Sequence, residues 1–148
     1  MGKKTIILVV ENNQRHFSLI KKSLERGGIW NEKIRFAESR EMLDFLFMRG
    51  DGLKREAKKE YVLLLDILSP KVDGLKTLEE IKQDRELKKI PVIILTTADD
   101  IQEIDRCHSL GCSIYIVKPA EQDSFADAIK KIGLFLSIIK VPQINGEV

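Results

Sequence analysis

Six polar side chains stand directly behind short apolar runs. Glu11 and Asn12 follow residues 5–10, Asp66 follows 62–65, Thr96 and Thr97 follow 92–95, and Lys118 follows 114–117. Their types suit one chemistry. Carboxylate oxygens from Glu11 and Asp66 are hard donors of the kind Mg²⁺ takes. A lysine ammonium neutralises an added anionic group, and a threonine hydroxyl hydrogen-bonds to it. Any one of these residues could sit at a strand end for solvation alone. An acid, an acid, a hydroxyl and a lysine behind four separate runs make a compact polar pocket, provided that the runs lie side by side.

The pattern of the chain predicts that they do. Unbroken apolarity over four to six residues marks strands covered on both faces, as in a parallel sheet. Residues 33–37 alternate apolar with polar and read as an edge strand. Helical spacing fills the gaps: Phe17, Ile20 and Leu24 share one face, as do Leu75, Leu78 and Ile81. Ser39 is the predicted N-cap of a helix over 40–48, with Gly50 as its stop. Gly111 ends a helix that begins near Asp99, and the last helix runs from about Glu121 to Lys140, with Pro142 just beyond. Five strand–helix alternations make a (βα)5 chain, an α/β fold whose right-handed crossovers give a doubly wound, five-stranded parallel sheet. In such sheets chemistry collects at the carboxyl ends of the strands, near the point where strand order reverses.

Composition narrows the function classes. The 148 residues fit one domain, and 43% hydrophobic with 32% charged content is that of a globular chain. A net charge of +2, with Lys and Arg spread along the sequence, leaves no basic footprint for nucleic acid. No apolar run approaches the roughly 18 residues of a membrane span, and the N-terminus has no secretion-signal pattern. Cys107 and Cys112 form no disulfide framework and lack metal-ligand spacing, so they read as small core residues in a reducing cytoplasm. His16 and His108 are isolated and read as structural or surface residues. The basic stretch L-K-R-E-A-K-K-E, residues 53–60, also carries Glu56 and Glu60 and reads as a solvated loop.

Four motifs carry a resemblance to a known family. V-V-E-N at residues 9–12, L-L-D-I-L-S-P-K-V-D-G at 64–74, P-V-I-I-L-T-T at 91–97 and Y-I-V-K-P at 115–119 together resemble the receiver domain of two-component response regulators. The likeness spans about residues 4–140, leaving 141–148 as a short C-terminal tail with no separate output domain. It implies the flavodoxin-like receiver fold with strand order 2-1-3-4-5. It also implies that Asp66 is the phosphoacceptor, Thr96 the switch hydroxyl, Lys118 the phosphate-pairing lysine and Tyr115 the switch aromatic. Mg²⁺ would be held by Glu11, Asp66 and the main-chain carbonyl of Leu68. Asn12 stands where the family normally has aspartate, which would weaken that metal site. The long segment 49–61 and the extended last helix look most like the phytochrome-associated, stand-alone receivers.

The expected activity is therefore signalling rather than enzymatic turnover, as a cytoplasmic phosphoprotein. A sensor histidine kinase, for instance one of phytochrome type, would phosphorylate Asp66, and a downstream protein target would read the change, with no nucleic-acid or membrane partner. Leu68 and Ala98, which the resemblance places beside the path of the hydrolytic water, cannot orient or activate it, so a long-lived phosphoryl group is expected. A haloacid-dehalogenase-type phosphohydrolase would need an acid two residues after the nucleophile, where this chain has Leu68. A flavodoxin-like cofactor protein would need a hydroxyl- or glycine-rich phosphate loop after Val10. The alternative with support is a pseudo-receiver, an interaction module left unphosphorylated because Asn12 replaces an acidic metal ligand. On the last helix Phe125, Ile129, Ile132, Leu136 and Ile139 form a core stripe, while Leu134, Ile138 and Val141 fall nearly opposite and predict a homodimer interface.

Overall fold

The computed structural model describes residues 1–67 and 74–146. Among the described residues the strands and α-helices follow in the order β1 (Ile6–Val10), α1 (Gln14–Arg26), β2 (Lys33–Phe36), α2 (Ser39–Leu46), β3 (Lys59–Asp66), α3 (Leu75–Gln83), β4 (Val92–Thr96), α4 (Ile101–Leu110), β5 (Ile114–Val117), α5 (Gln122–Ile138) and β6 (Gln143–Ile144), with a 3₁₀ turn at Leu87–Lys89 before β4. Five strands pair in parallel in the order β2-β1-β3-β4-β5. The continuous runs of β1, β3 and β4 are buried on both faces, and the alternating run lies at the edge as β2. The continuous run 114–117 departs from the expectation: as β5 it is the other edge strand and none of its residues is fully buried, because no strand pairs beyond it.

Period-two geometry sorts the strand residues between two cores. Leu8, Val10, Leu63, Leu65 and Ile94 pack with Met42, Phe45, Leu78 and Cys107 beneath α2, α3 and α4. Ile7, Val9, Leu64, Ile93 and Leu95 face the other way, onto Ile20, Leu24, Phe125, Ile129, Ile132 and Leu136 of α1 and α5. The helical stripes read from the sequence are these contacts. Both cysteines are buried as free thiols, and burial pushes the Cys107 thiol up to about 11.

The register brings the strand ends level. Val10 pairs with Leu65, Asp66 with Leu95 and Thr96 with Val117, so Glu11, Asp66, Thr96 and Lys118 emerge at one edge. Strand order reverses between β1 and β3, and the crevice opens there.

Several boundaries differ from the sequence reading. Helix α2 starts at Ser39 itself, after Glu38, and no side chain caps it. It closes before Gly50: Met48 takes the left-handed conformation (φ 57°), with Arg49 N–H bonded to Asp44 O at 2.8 Å and Met48 N–H to Phe45 O at 3.3 Å. Those two bonds are a Schellman closure, and they fix the turn two residues early. The basic stretch after it is no simple solvated loop. Arg55 is 6% exposed; its Nε donates to Leu46 O at 2.8 Å and its N–H to Phe45 O at 3.1 Å, tying the loop to the end of α2.

Helix α5 ends at Ile138, two residues short of Lys140. The chain then returns under the sheet. Gln143–Ile144 pairs antiparallel with Lys59 and Glu60, the part of β3 that precedes its pairing with β1. Ile144 is fully buried in the core cluster beneath α2 and α3. Residues 141–146 are thus structural, where the sequence suggested only a tail. Truncating Ile144 to alanine should cost about 2–5 kcal/mol, the range for buried isoleucine. Urea unfolding of Ile144→Ala against the parent chain measures it, and a loss under roughly 0.5 kcal/mol, the scale of an ordinary surface change, would show that β6 holds nothing.

Candidate functional site

The polypeptide leaves β1 through Glu11, whose N–H still bonds to Phe36 O at 2.9 Å, so its side chain is held at the sheet edge. That side chain turns inward and is 4% exposed. Its Oε1 accepts the Asn13 N–H at 3.0 Å. Asn13 then caps α1, its side chain accepting the His16 N–H at 3.0 Å. Arg35 of β2 clamps the turn from below, donating Nε to Glu11 O at 2.9 Å and Nη2 to Asn12 O at 3.1 Å. The Asn12 side chain is left exposed at the rim, so of the two asparagines it is Asn13 that serves the helix.

Asp66 ends β3 with its side chain 1% exposed. Its Oδ1 is ion-paired with Lys118 Nζ from the end of β5. Its Oδ2 is buried and has no hydrogen bond among the described residues. His16 Nδ1 stands 2.9 Å from that oxygen, yet its hydrogen bond goes to Glu11 Oε2 at 2.8 Å. Burial raises the Asp66 carboxyl to about 7, the neighbouring Glu11 adds to the rise, and Lys118 opposes it.

His16 was not foreseen as a site residue. The sequence shows it as isolated, because its partners lie on other elements. One signal was present: side chains in a first helical turn lean back toward the N-terminus, so the third residue after the Asn13 cap overhangs the strand end. Its ring is stacked on Phe125 of α5, centroids 4.6 Å apart and planes at 22°.

Glu11, Asp66 and Lys118 therefore converge as expected, while Thr96 at the end of β4 and Tyr115 within β5 meet at Ala98. Thr96 is fully buried, and its Oγ1 accepts the Ala98 N–H at 3.2 Å. Tyr115 donates its hydroxyl to Ala98 O at 2.8 Å. Burial pushes that phenol up to about 12, so it stays a donor. Leu68 lies outside the described residues. Leu134 and Ile138 are exposed on α5, at 59% and 78%. Val141 does not extend that stripe: it lies past the helix end, half-buried against the core.

The donor set fits a divalent cation. Two buried carboxylates lie side by side, one oxygen is without a hydrogen bond, and ligand atoms of Glu11, His16 and Asp66 all fall within 4.8 Å of one another. Among the described residues no helix is long and apolar enough to cross a membrane.

Comparison with known proteins gives the same architecture. The family described as response regulator receiver domain matches residues 7–130. A receiver domain structure from Rhodospirillum rubrum is 37% identical, with a TM-score of 0.85 over 95% of this chain and 99% of that one. The structure of the phosphorylated cyanobacterial phytochrome response regulator RcpA is 31% identical, with a TM-score of 0.78 over 93% of this chain and 97% of that one. The probable methanogenesis regulatory protein FilR2 of Methanothrix harundinacea is 32% identical over 127 residues, 86% of this chain and 80% of that protein. Fold, site and relatives agree, and the chain belongs to the response regulator receiver domain family of two-component signalling.

Proposed function

We propose that Asp66 accepts a phosphoryl group from a sensor histidine kinase and that the chain then signals by protein–protein contact. The observation that carries this reading is Asp66 itself: a buried carboxylate with one oxygen on Lys118 and the other without a hydrogen bond, beside Glu11. RcpA, a similar protein, is known in phosphorylated form, which favours the same acceptor chemistry and a phytochrome-type kinase as donor.

A carboxylate is a modest nucleophile toward phosphorus, so positioning and charge neutralisation supply most of the rate. An Asp66 oxygen attacks phosphorus, the new P–O bond forms as the donor's P–N bond breaks, and the departing imidazole takes up a proton. Lys118 stays paired to the incoming negative charge. Glu11 and Asp66 would hold Mg²⁺, which lowers the repulsion between the carboxylates and the phosphoryl oxygens.

The readout starts at Ala98. Its N–H is held by Thr96 and its carbonyl by Tyr115, so a hydroxyl drawn toward a phosphoryl oxygen loosens one side of a residue whose other side anchors the aromatic. A local charge event is thereby passed to β5 and to the loop before α4. Homodimerisation through Leu134 and Ile138 of α5 is part of the same proposal, since two large apolar side chains stacked one turn apart are left in water.

Incubation with acetyl phosphate and Mg²⁺ should add one phosphoryl mass to the parent chain and none to Asp66→Asn, by intact mass spectrometry. The adduct should persist for many minutes, since Ala98 has no side chain able to activate water. An unmodified parent chain at high Mg²⁺ would mean that the pseudo-receiver reading is correct. A second measurement concerns pH in the absence of metal. With its carboxyl raised from 3.8 to about 7, folded Asp66 binds more proton than unfolded Asp66 between those values. Stability should therefore fall as pH rises from about 4 to about 7, and Glu11, His16 and Lys118 are the other titratable groups facing it. Urea midpoints in chelator at pH 5 and pH 7.5 should show the parent chain losing stability relative to Asp66→Asn. A constant difference would remove the burial argument. Light scattering of Leu134→Glu/Ile138→Glu should give a lower mass than the parent at micromolar concentration; equal masses would exclude this face.

A further inference from the structure

We infer that His16 is a direct metal ligand through Nδ1, so that this site takes a borderline transition-metal ion such as Co²⁺ in preference to Mg²⁺. The inference rests on the reading that Glu11 and Asp66 hold a cation, and it changes which cation. Three observations meet here. Nδ1 lies 2.8 Å from Glu11 Oε2 and 2.9 Å from Asp66 Oδ2. Two donors at about 2.1 Å from one ion and at right angles to each other stand about 3.0 Å apart, so both separations match adjacent corners of an octahedron.

The second observation is Asp66 Oδ2, a buried oxygen with no hydrogen bond, 2.9 Å from the same nitrogen. A protonated ring would supply a donor to Glu11 and still leave this oxygen without one. An ion between the three groups serves all of them. The third is the way the ring is held. The Asn13 cap fixes its backbone, and Phe125 of α5 stacks on its face, so Nδ1 is presented without further ordering. Preformed orientation of a ligating imidazole is worth about 10–100-fold in metal affinity where its supports have been removed.

This also gives a role to the departure at residue 12. The Asn12 side chain lies exposed at the rim, and a neutral amide contributes no anionic oxygen. Histidine returns a third donor from the helix side. Replacing a hard oxygen by a nitrogen changes selectivity, because imidazole suits the later first-row transition ions and is a poor partner for Mg²⁺.

The test uses the full chain. In the Mn²⁺-loaded protein, pulsed electron paramagnetic resonance should show ¹⁴N modulation from a directly bound imidazole, and this should vanish in His16→Gln. By calorimetry, His16→Gln should weaken Co²⁺ binding at least tenfold and leave Mg²⁺ within about threefold. Absence of nitrogen modulation in the parent chain overturns the inference. So does equal weakening of both ions, or tighter Mg²⁺ binding in His16→Gln, which would make the imidazole a plug in the cation's place. In these cases the cation site stands without His16. Failure of any divalent ion to bind, with Asp66 unmodified by acetyl phosphate, would instead remove the site itself. The parent spectrum needs no variant, so poor folding of His16→Gln leaves the inference open to refutation.

Discussion

Two carboxylates buried side by side are the constraint around which the rest of this molecule is arranged. Glu11 and Asp66 are delivered together because β1 and β3 are adjacent and in parallel register, Val10 against Leu65. Their ligand oxygens lie within 4.8 Å, where two like charges repel by on the order of 3 kcal/mol at an effective dielectric of 20. The surroundings answer that repulsion piece by piece. Lys118 takes one Asp66 oxygen, the Asn13 N–H takes one from Glu11, and His16 stands between the remaining two. Of these four oxygens Asp66 Oδ2 alone is buried without a hydrogen bond among the described residues.

The same demand explains the rigidity of the turn after β1. A carboxylate can be kept out of water only if its backbone cannot drift. Arg35 binds the carbonyls of both Glu11 and Asn12, and the Asn13 cap starts α1 immediately afterwards. The cap fixes His16, and Phe125 fixes its ring, so α5 is joined to the site through one stacked pair. On the opposite flank, Thr96 holds the Ala98 N–H and Tyr115 its carbonyl. The site therefore has two mechanical outlets, one toward α5 and one toward β5 and α4. Both lead to surface where a partner could read the change.

Beneath the site, the fold is closed by a device unrelated to chemistry. Burial of Ile144 and the antiparallel pairing of β6 seal the amino end of β3, and Arg55 ties the preceding loop to α2. A receiver needs its strand ends fixed at one edge, and anchoring the other end of the central strand resists any slip in register. A slip of one residue would send Asp66 to the wrong face of the sheet.

The sequence by itself determined the sheet, the strand ends and most of the pocket. Unbroken apolar runs admit few positions other than buried parallel strands, and the residue after each run must then emerge at the carboxyl edge. Glu11, Asp66, Thr96 and Lys118 were legible for that reason. Local turn chemistry was less so: Ser39 and Gly50 looked like caps, but the Schellman bonds at Met48 closed the helix first. Arg55 and residues 143–144 looked solvated, since polarity along the chain does not reveal a carbonyl or an open strand edge waiting elsewhere. His16 was hidden in the same way. A lone histidine carries no period and no spacing, and its meaning comes from Glu11, Asp66 and Phe125, contributed by two strands and a distant helix. Periodicity records which face of an element is buried; only the packed structure decides which side chains, brought from far apart, share the space above it.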